Sequence, residues 1–292
     1  MAGEISIAYL IVAYTDPEHL KCLVSELTKH ADVFIHINKL SDIKPFIETF
    51  ADFQSIHRVK FIDKRYRVHW AGYSILKATF ELLDNALATE NYDRVILLTG
   101  QDFPVKSSVE LQKFFADNRE TNYINAGVYD AEHHPLLPYF MNYDIKPLRK
   151  ILNGLRRFFP ILSRRKHPNY IEYRGRKFYL KGTAPKWAIT GECAKYLLDF
   201  YKNNPGFNRI MKFLFAPDDF YAATVIYYSR FQASIFSEKS IFYYFYGELD
   251  ISKFDEIISS GCLYAKKFYS GHSDELINAI CKSWEDTKNE DE

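Results

Sequence analysis

Apolar positions in the first part of the chain fall into two patterns. Unbroken runs occur at Ile5–Tyr14 (ISIAYLIVAY), Val33–Asn38 (VFIHIN) and Arg94–Thr99 (RVILLT), as expected of strands covered on both faces. Val59–Asp63 and Tyr123–Ala126 read as two more strands. Between the runs, apolar residues return at helical spacing, at positions 75, 76, 80, 82, 83 and 86 within Gly72–Thr89. Asp16 followed by Pro17 predicts a helix start, with the helix running to about His30. A short helix is predicted from about Ser41, and Ser107 with Glu110 forms a capping-box pattern that predicts a helix over Ser107–Asn118. Strands alternating with helices predict an α/β fold built on a mostly parallel sheet flanked by helices.

The second half is less regular. Pro135–Pro168 is basic and without period, Phe178–Thr190 reads as strand and turn, and Ile241–Tyr246 as a strand. Helices are predicted over Glu192–Asn203, Pro217–Ser229, Ile251–Ser259 and Ser273–Asp286. No repeat, low-complexity stretch or linker divides the chain, so a single domain over residues 1–292 is expected.

Composition changes this picture little. The 292 residues are 47% apolar and 26% charged, an ordinary globular balance, and no apolar run approaches the length of a membrane span. Cys22, Cys193, Cys262 and Cys281 are scattered without ligand spacing, and no N-x-S/T sequon occurs, which favours a reducing, cytoplasmic setting. Charge is more informative. The total is +1, but residues 145–181 hold twelve Lys/Arg and one acid, Glu172, so this segment carries +11 and the rest −10. Within it, Leu148–Leu162 has Leu and Phe at helical spacing with arginines between, a pattern that suits an anionic membrane surface.

Several familiar chemistries are missing. The chain has no G-x-G-x-x-G, no G-x-x-x-x-G-K-S/T, no G-x-S-x-G and no H-E-x-x-H, and no nucleic-acid-binding motif. What remains are polar residues where predicted strands end: Tyr14-Thr15-Asp16, His36-Ile37-Asn38-Lys39 and Thr99-Gly100-Gln101-Asp102. Ligands of open α/β sheets bind at such carboxyl ends, although each tip taken alone reads more readily as a cap or a turn. Nucleotide-sugar enzymes that hold a divalent cation on the diphosphate place Asp-x-Asp at the last of these positions. Gly100-Gln101-Asp102 offers one carboxylate, a poor cage for Mg²⁺ or Mn²⁺.

Six segments in order resemble the core-2/I-branching β-1,6-N-acetylglucosaminyltransferases and the related protein O-xylosyltransferases, glycosyltransferase family 14. They are IAYLIVAY with IHINK, RVHWAGYSILKATFELL, YDRVILLTGQDFPVKSSVEL, GTAPKWAIT, APDDFYAAT and LYAKKF, spread over about residues 5–270. The resemblance implies a GT-A-like fold, with a nucleotide-binding half at 1–126 and an acceptor half at 127–292 that carries the basic insertion 145–181. It also implies inversion at the anomeric carbon, a UDP-sugar donor of the N-acetylglucosamine or xylose class, a glycan or lipid-linked glycan acceptor, and no metal or other cofactor.

In that family a Ser-Pro-Asp-Glu motif supplies the catalytic base. Ala216-Pro217-Asp218-Asp219 stands there, so Asp219 takes the base's position, one methylene shorter, with Asp218 on the acceptor side. The family's diphosphate-binding lysine falls on Lys267, with Lys266 beside it, and Lys239 is a candidate for a second basic residue. Asn38 stands where the family has an acidic contact to uracil. Tyr14, Thr15, Gln101, Asp102 and Trp70 complete the implied donor side, and Trp187 the acceptor side. The changes at 38 and 219 leave open a weak or inactive sugar-nucleotide-binding protein. The missing Golgi-type anchor points to a bacterial type of enzyme working at the inner face of the cell membrane.

Overall fold

The structure is a computed structural model that describes residues 4–53, 56–127, 142–145, 169–182 and 184–290. Most of the basic segment, including the amphipathic stretch 148–162, lies outside the described residues, as does most of Pro135–Pro168.

The described strands are β1 (Ile7–Ala13), β2 (Asp32–Ile37), β3 (Val59–Phe61), β4 (Arg94–Thr99), β5 (Asp102–Pro104), β6 (Asn122–Ile124), β7 (Tyr170–Tyr173), β8 (Arg176–Tyr179), β9 (Trp187–Thr190), β10 (Ile235–Phe236), β11 (Phe242–Tyr244) and β12 (Tyr264–Lys266). Seven form the central sheet in the order β10-β6-β9-β4-β1-β2-β3. Every neighbouring pair in it is parallel except those made by β9, which runs antiparallel to both β4 and β6. The fold is therefore mixed α/β with a mostly parallel sheet, as expected. β11, β12 and β5 make a second, small sheet, and β7 and β8 a separate hairpin.

The apolar runs follow from this layering. Along β1, Ile7, Tyr9, Ile11 and Ala13 enter one core with helix Pro17–Leu27, while Ala8, Leu10 and Val12 enter the other with helix Ser74–Thr89. Successive strand residues point to opposite faces, so a strand between two helical layers must be apolar at every position. Each buried Leu or Ile contributes about 1.5–3 kcal/mol relative to exposure.

The caps read from sequence are present. The Asp16 carboxylate accepts from His19 N, and Ser107 and Glu110 cap helix Ser108–Asp117 reciprocally. The helix expected over Pro217–Ser229 is corrected: Pro217–Asp219 is a tight 3-10 turn, and the α-helix is Tyr221–Tyr227. The four cysteines are free thiols.

Candidate active site

Strand β4 ends beside β1, and the chain turns through Gly100 and Gln101 into β5. The Asp102 carboxylate is fully buried there. One of its oxygens accepts from Thr99 N and Thr99 Oγ1, both at 2.7 Å, and the other pairs with the Lys186 ammonium. This corrects the expectation that Asp102 faces the donor, because both oxygens are engaged inside the protein. Lys186, only 2% exposed, was not singled out from sequence, although a lysine at the head of the apolar run Trp187–Ile189 was a signal. A buried charge is tolerated only with a partner, and Asp102 is that partner. Burial pulls the Lys186 pKa down, Asp102 opposes this, and Lys266 adds to it.

The other strand tips are divided. Tyr14 is 52% exposed and its hydroxyl lies 3.4 Å from Gln101 Oε1, while Gln101 Nε2 bonds the Tyr269 hydroxyl. Thr15 follows, half-buried. Asn38 braces its own loop. Its Nδ2 donates to Val68 O, and its Oδ1 accepts from Val68 N and Leu40 N, each at 3.0 Å. Arg65, also missed from sequence, ties the same loop by donating to the carbonyls of Ile37, Asn38 and Ser41.

The acid turn is reached from Phe215. Ala216 adopts φ 45° and donates its N–H to Ala71 O, and Ala71 itself sits at φ 59°. Two alanines in the left-handed region cost of order 1–2 kcal/mol each, a strain that the surrounding contacts hold in place. Their hydrogen bond brings the Trp70–Ala71–Gly72 loop against the acids. Trp70 is 63% exposed, with its ring edge-to-face on Phe215 at 5.3 Å, and Tyr143 packs on the same phenylalanine at 5.2 Å. Trp187 is corrected to a core residue: it is 2% exposed within β9, opposite Leu97 and Ile124, and offers no face to a ligand.

Gly182 fixes the far side of this turn. It sits at φ 106°, and a Cβ there would overlap the Asp219 carbonyl oxygen, so only glycine allows the approach. Asp218 Oδ1 is buried and accepts no hydrogen bond. Burial pushes both carboxyl pKa values up, the Asp218 charge raises Asp219 further, and Lys266 draws both down.

Lys266 reaches the acids from β12, whose register sets it opposite both Asp102 and Tyr244. The Tyr244 ring lies 5.6 Å from the Lys266 ammonium and 4.9 Å from that of Lys186, so one partly exposed ring meets two cations. Tyr244, missed from sequence, also lines a cavity of about 30 Å³ with Asn125, Lys186 and Lys239. Lys267 is half-buried, and its carbonyl accepts from Leu249 N. The structure thus brings together Asp218, Asp219, Lys266, Lys186 and Tyr244, with Trp70 on the flank and Lys239 across the cavity. Trp187 is held in the core, while Asn38 lies beside the Tyr14 tip, its N–H donating to Ala13 O at 2.8 Å.

The family model for the Core-2/I-Branching enzymes matches residues 7–239, and the chain belongs to this family of glycosyltransferases. No curated protein matches the chain. Among solved structures, one match is a Bacillus anthracis protein described as a glucose-1-phosphate thymidylyltransferase, in complex with a sucrose. It shares 13% identity at a TM-score of 0.33, over 70% of this chain and 80% of that one.

Proposed function

We propose that this glycosyltransferase inverts the anomeric centre. It moves a sugar of the N-acetylglucosamine or xylose class from a UDP-sugar to a hydroxyl of a glycan, without a divalent cation. Asp219 takes the proton of the acceptor hydroxyl, and the freed oxygen attacks the anomeric carbon opposite the diphosphate. The bond to the diphosphate oxygen breaks and its electron pair leaves with the nucleoside diphosphate. Lys266 and Lys267, with Lys239 as the further cation, meet the charge that develops on the leaving group. Tyr14, Thr15 and Gln101 border the donor, and the open face of Trp70 suits a sugar ring.

The observation that carries this reading is the acid turn: two adjacent half-buried carboxyls, one with a buried, unpartnered oxygen, held in a strained loop beside Lys266. A base whose pKa is lifted toward neutrality is better matched to a hydroxyl proton than an ordinary carboxylate is. Cation independence is supported by Asp102, whose oxygens are committed to Thr99 and Lys186. The test is Asp219→Asn. Transfer should fall about 10²–10⁴-fold while UDP binding, followed by calorimetry, stays within a factor of about two. Near-normal turnover would remove Asp219 from the base's role.

A further inference from the structure

The hairpin β7–β8 is the described part of the basic segment. Its turn places Arg174 at φ 52° and Gly175 at φ 73°, a tight reversal that leaves the hairpin tip exposed. Ile171, Phe178 and Leu180 point inward and are buried, with Phe178 packed on Phe207 and Tyr228. The outward positions are Arg174, Arg176 and Lys177 with Tyr179 and one acid, Glu172, which stands across the strand from Lys177, so the face is net cationic. Among the described residues, Arg174, Arg176, Lys177 and Lys181 form no ion pair with a carboxylate. Each instead lies over an aromatic ring. Arg174 sits on Tyr173 at 5.1 Å, Arg176 on Tyr228 at 5.0 Å, Lys177 on Tyr170 at 4.8 Å, and Lys181 on Tyr227 at 4.2 Å. A ring face fixes a long side chain without neutralising it, so the N–H donors stay available.

The hairpin is joined to the acid turn. Lys181 N donates to Thr224 Oγ1 at 2.9 Å, and the next residue, Gly182, abuts the Asp219 carbonyl. A row of cations on tyrosines, in excess over the single acid Glu172, therefore runs up to the proposed base.

We propose that this hairpin docks the acceptor, and that the acceptor is an anionic glycan, a saccharide chain bearing carboxylate or phosphate groups. The anions meet Arg174, Arg176 and Lys177, the sugar faces lie on the exposed tyrosine Tyr179, and the reactive hydroxyl reaches Asp219. The proposal rests on the reading of Asp219 as the base. A lipid surface fits the hairpin less well, because membrane-lying segments present Leu, Phe or Trp outward, and here the apolar side chains face the core.

The test uses the whole chain and four probes: a galacturonic acid hexamer, a phosphorylated oligosaccharide, the uncharged maltohexaose and phosphatidylglycerol vesicles. Calorimetry should show binding of the charged hexamer that weakens with salt, and none of maltohexaose. The variant Arg174→Gln/Arg176→Gln/Lys177→Gln should bind the charged hexamer about tenfold or more weakly, as for the loss of several exposed charge contacts. Its melting temperature should be unchanged, and Lys181→Gln should act in the same direction. A phosphorylated oligosaccharide that binds where the galacturonate hexamer does not would assign the anion as phosphate. Equal affinity for charged and neutral hexamers, undiminished binding by the triple variant, or binding of vesicles alone would each overturn the proposal. Asp219→Asn should leave hexamer binding intact, so failure of the base and failure of the docking surface are read separately.

Discussion

Asp218 and Asp219 are adjacent in sequence, half-buried, and opposed by the cation Lys266. An unfolded aspartate ionises near pH 4; in the folded protein both ionise at higher pH. The native state therefore keeps protons that the unfolded chain has lost, and stability falls as pH rises through that window. Asp218→Asn should raise the melting temperature, with a gain that grows from about pH 4 toward neutrality. The same change removes the charge that lifts Asp219, so the acid limb of the pH–rate profile should move to lower pH. A limb that stays in place would mean the two carboxyls do not interact. Lys267→Ala should weaken UDP binding more than uridine binding, and equal weakening would mark the lysine as structural. Transfer should also persist in excess EDTA, and loss restored by Mn²⁺ would overturn the cation-free reading. The acids were legible because a motif marks them. The environment of Asp102 was not, because its partner Lys186 is 84 positions away. Trp70 and Trp187 look alike in sequence, and only the strand register separates an exposed ring from a core one.

Lys186 leads into β9 and Asp102 begins β5, so their ion pair joins the large sheet to the small one. Removing one partner strands a buried charge, which costs about 3–5 kcal/mol. Lys186→Met should destabilise by that amount in urea unfolding, and Lys186→Met/Asp102→Asn should recover most of the loss. A double variant no more stable than Lys186→Met would show that the charge pairing is not what matters. The long strands of the large sheet were readable because burial on both faces makes their sequences apolar throughout. β5, β11 and β12 have three residues each, too few for any period to show. Helix Pro205–Met211 was missed although Pro205 stands in its first turn, where proline is favoured. The acid turn was read as helix because its polar residues suit a helix start, and local preference cannot separate a 3-10 turn from an α one.

On the scale of the whole molecule, no helix among the described residues is long and apolar enough to cross a membrane. The division of the chain into a donor half and an acceptor half has a limit, since β12 belongs late in the sequence yet pairs with β5. That pairing has a consequence for how the protein is made. Synthesis runs from the amino end, and by the close of β10 every strand of the large sheet exists. At that moment β5 has no strand partner, Tyr9 has no Tyr264 to bond at 2.8 Å, and Asp218 and Asp219 lack Lys266. Contacts between distant parts of a chain form late. The scaffold can thus assemble on the ribosome while Tyr244, Lys266 and Lys267 are still missing, so a chain halted after β10 should hold the large sheet yet lack the cations that the proposed reaction needs.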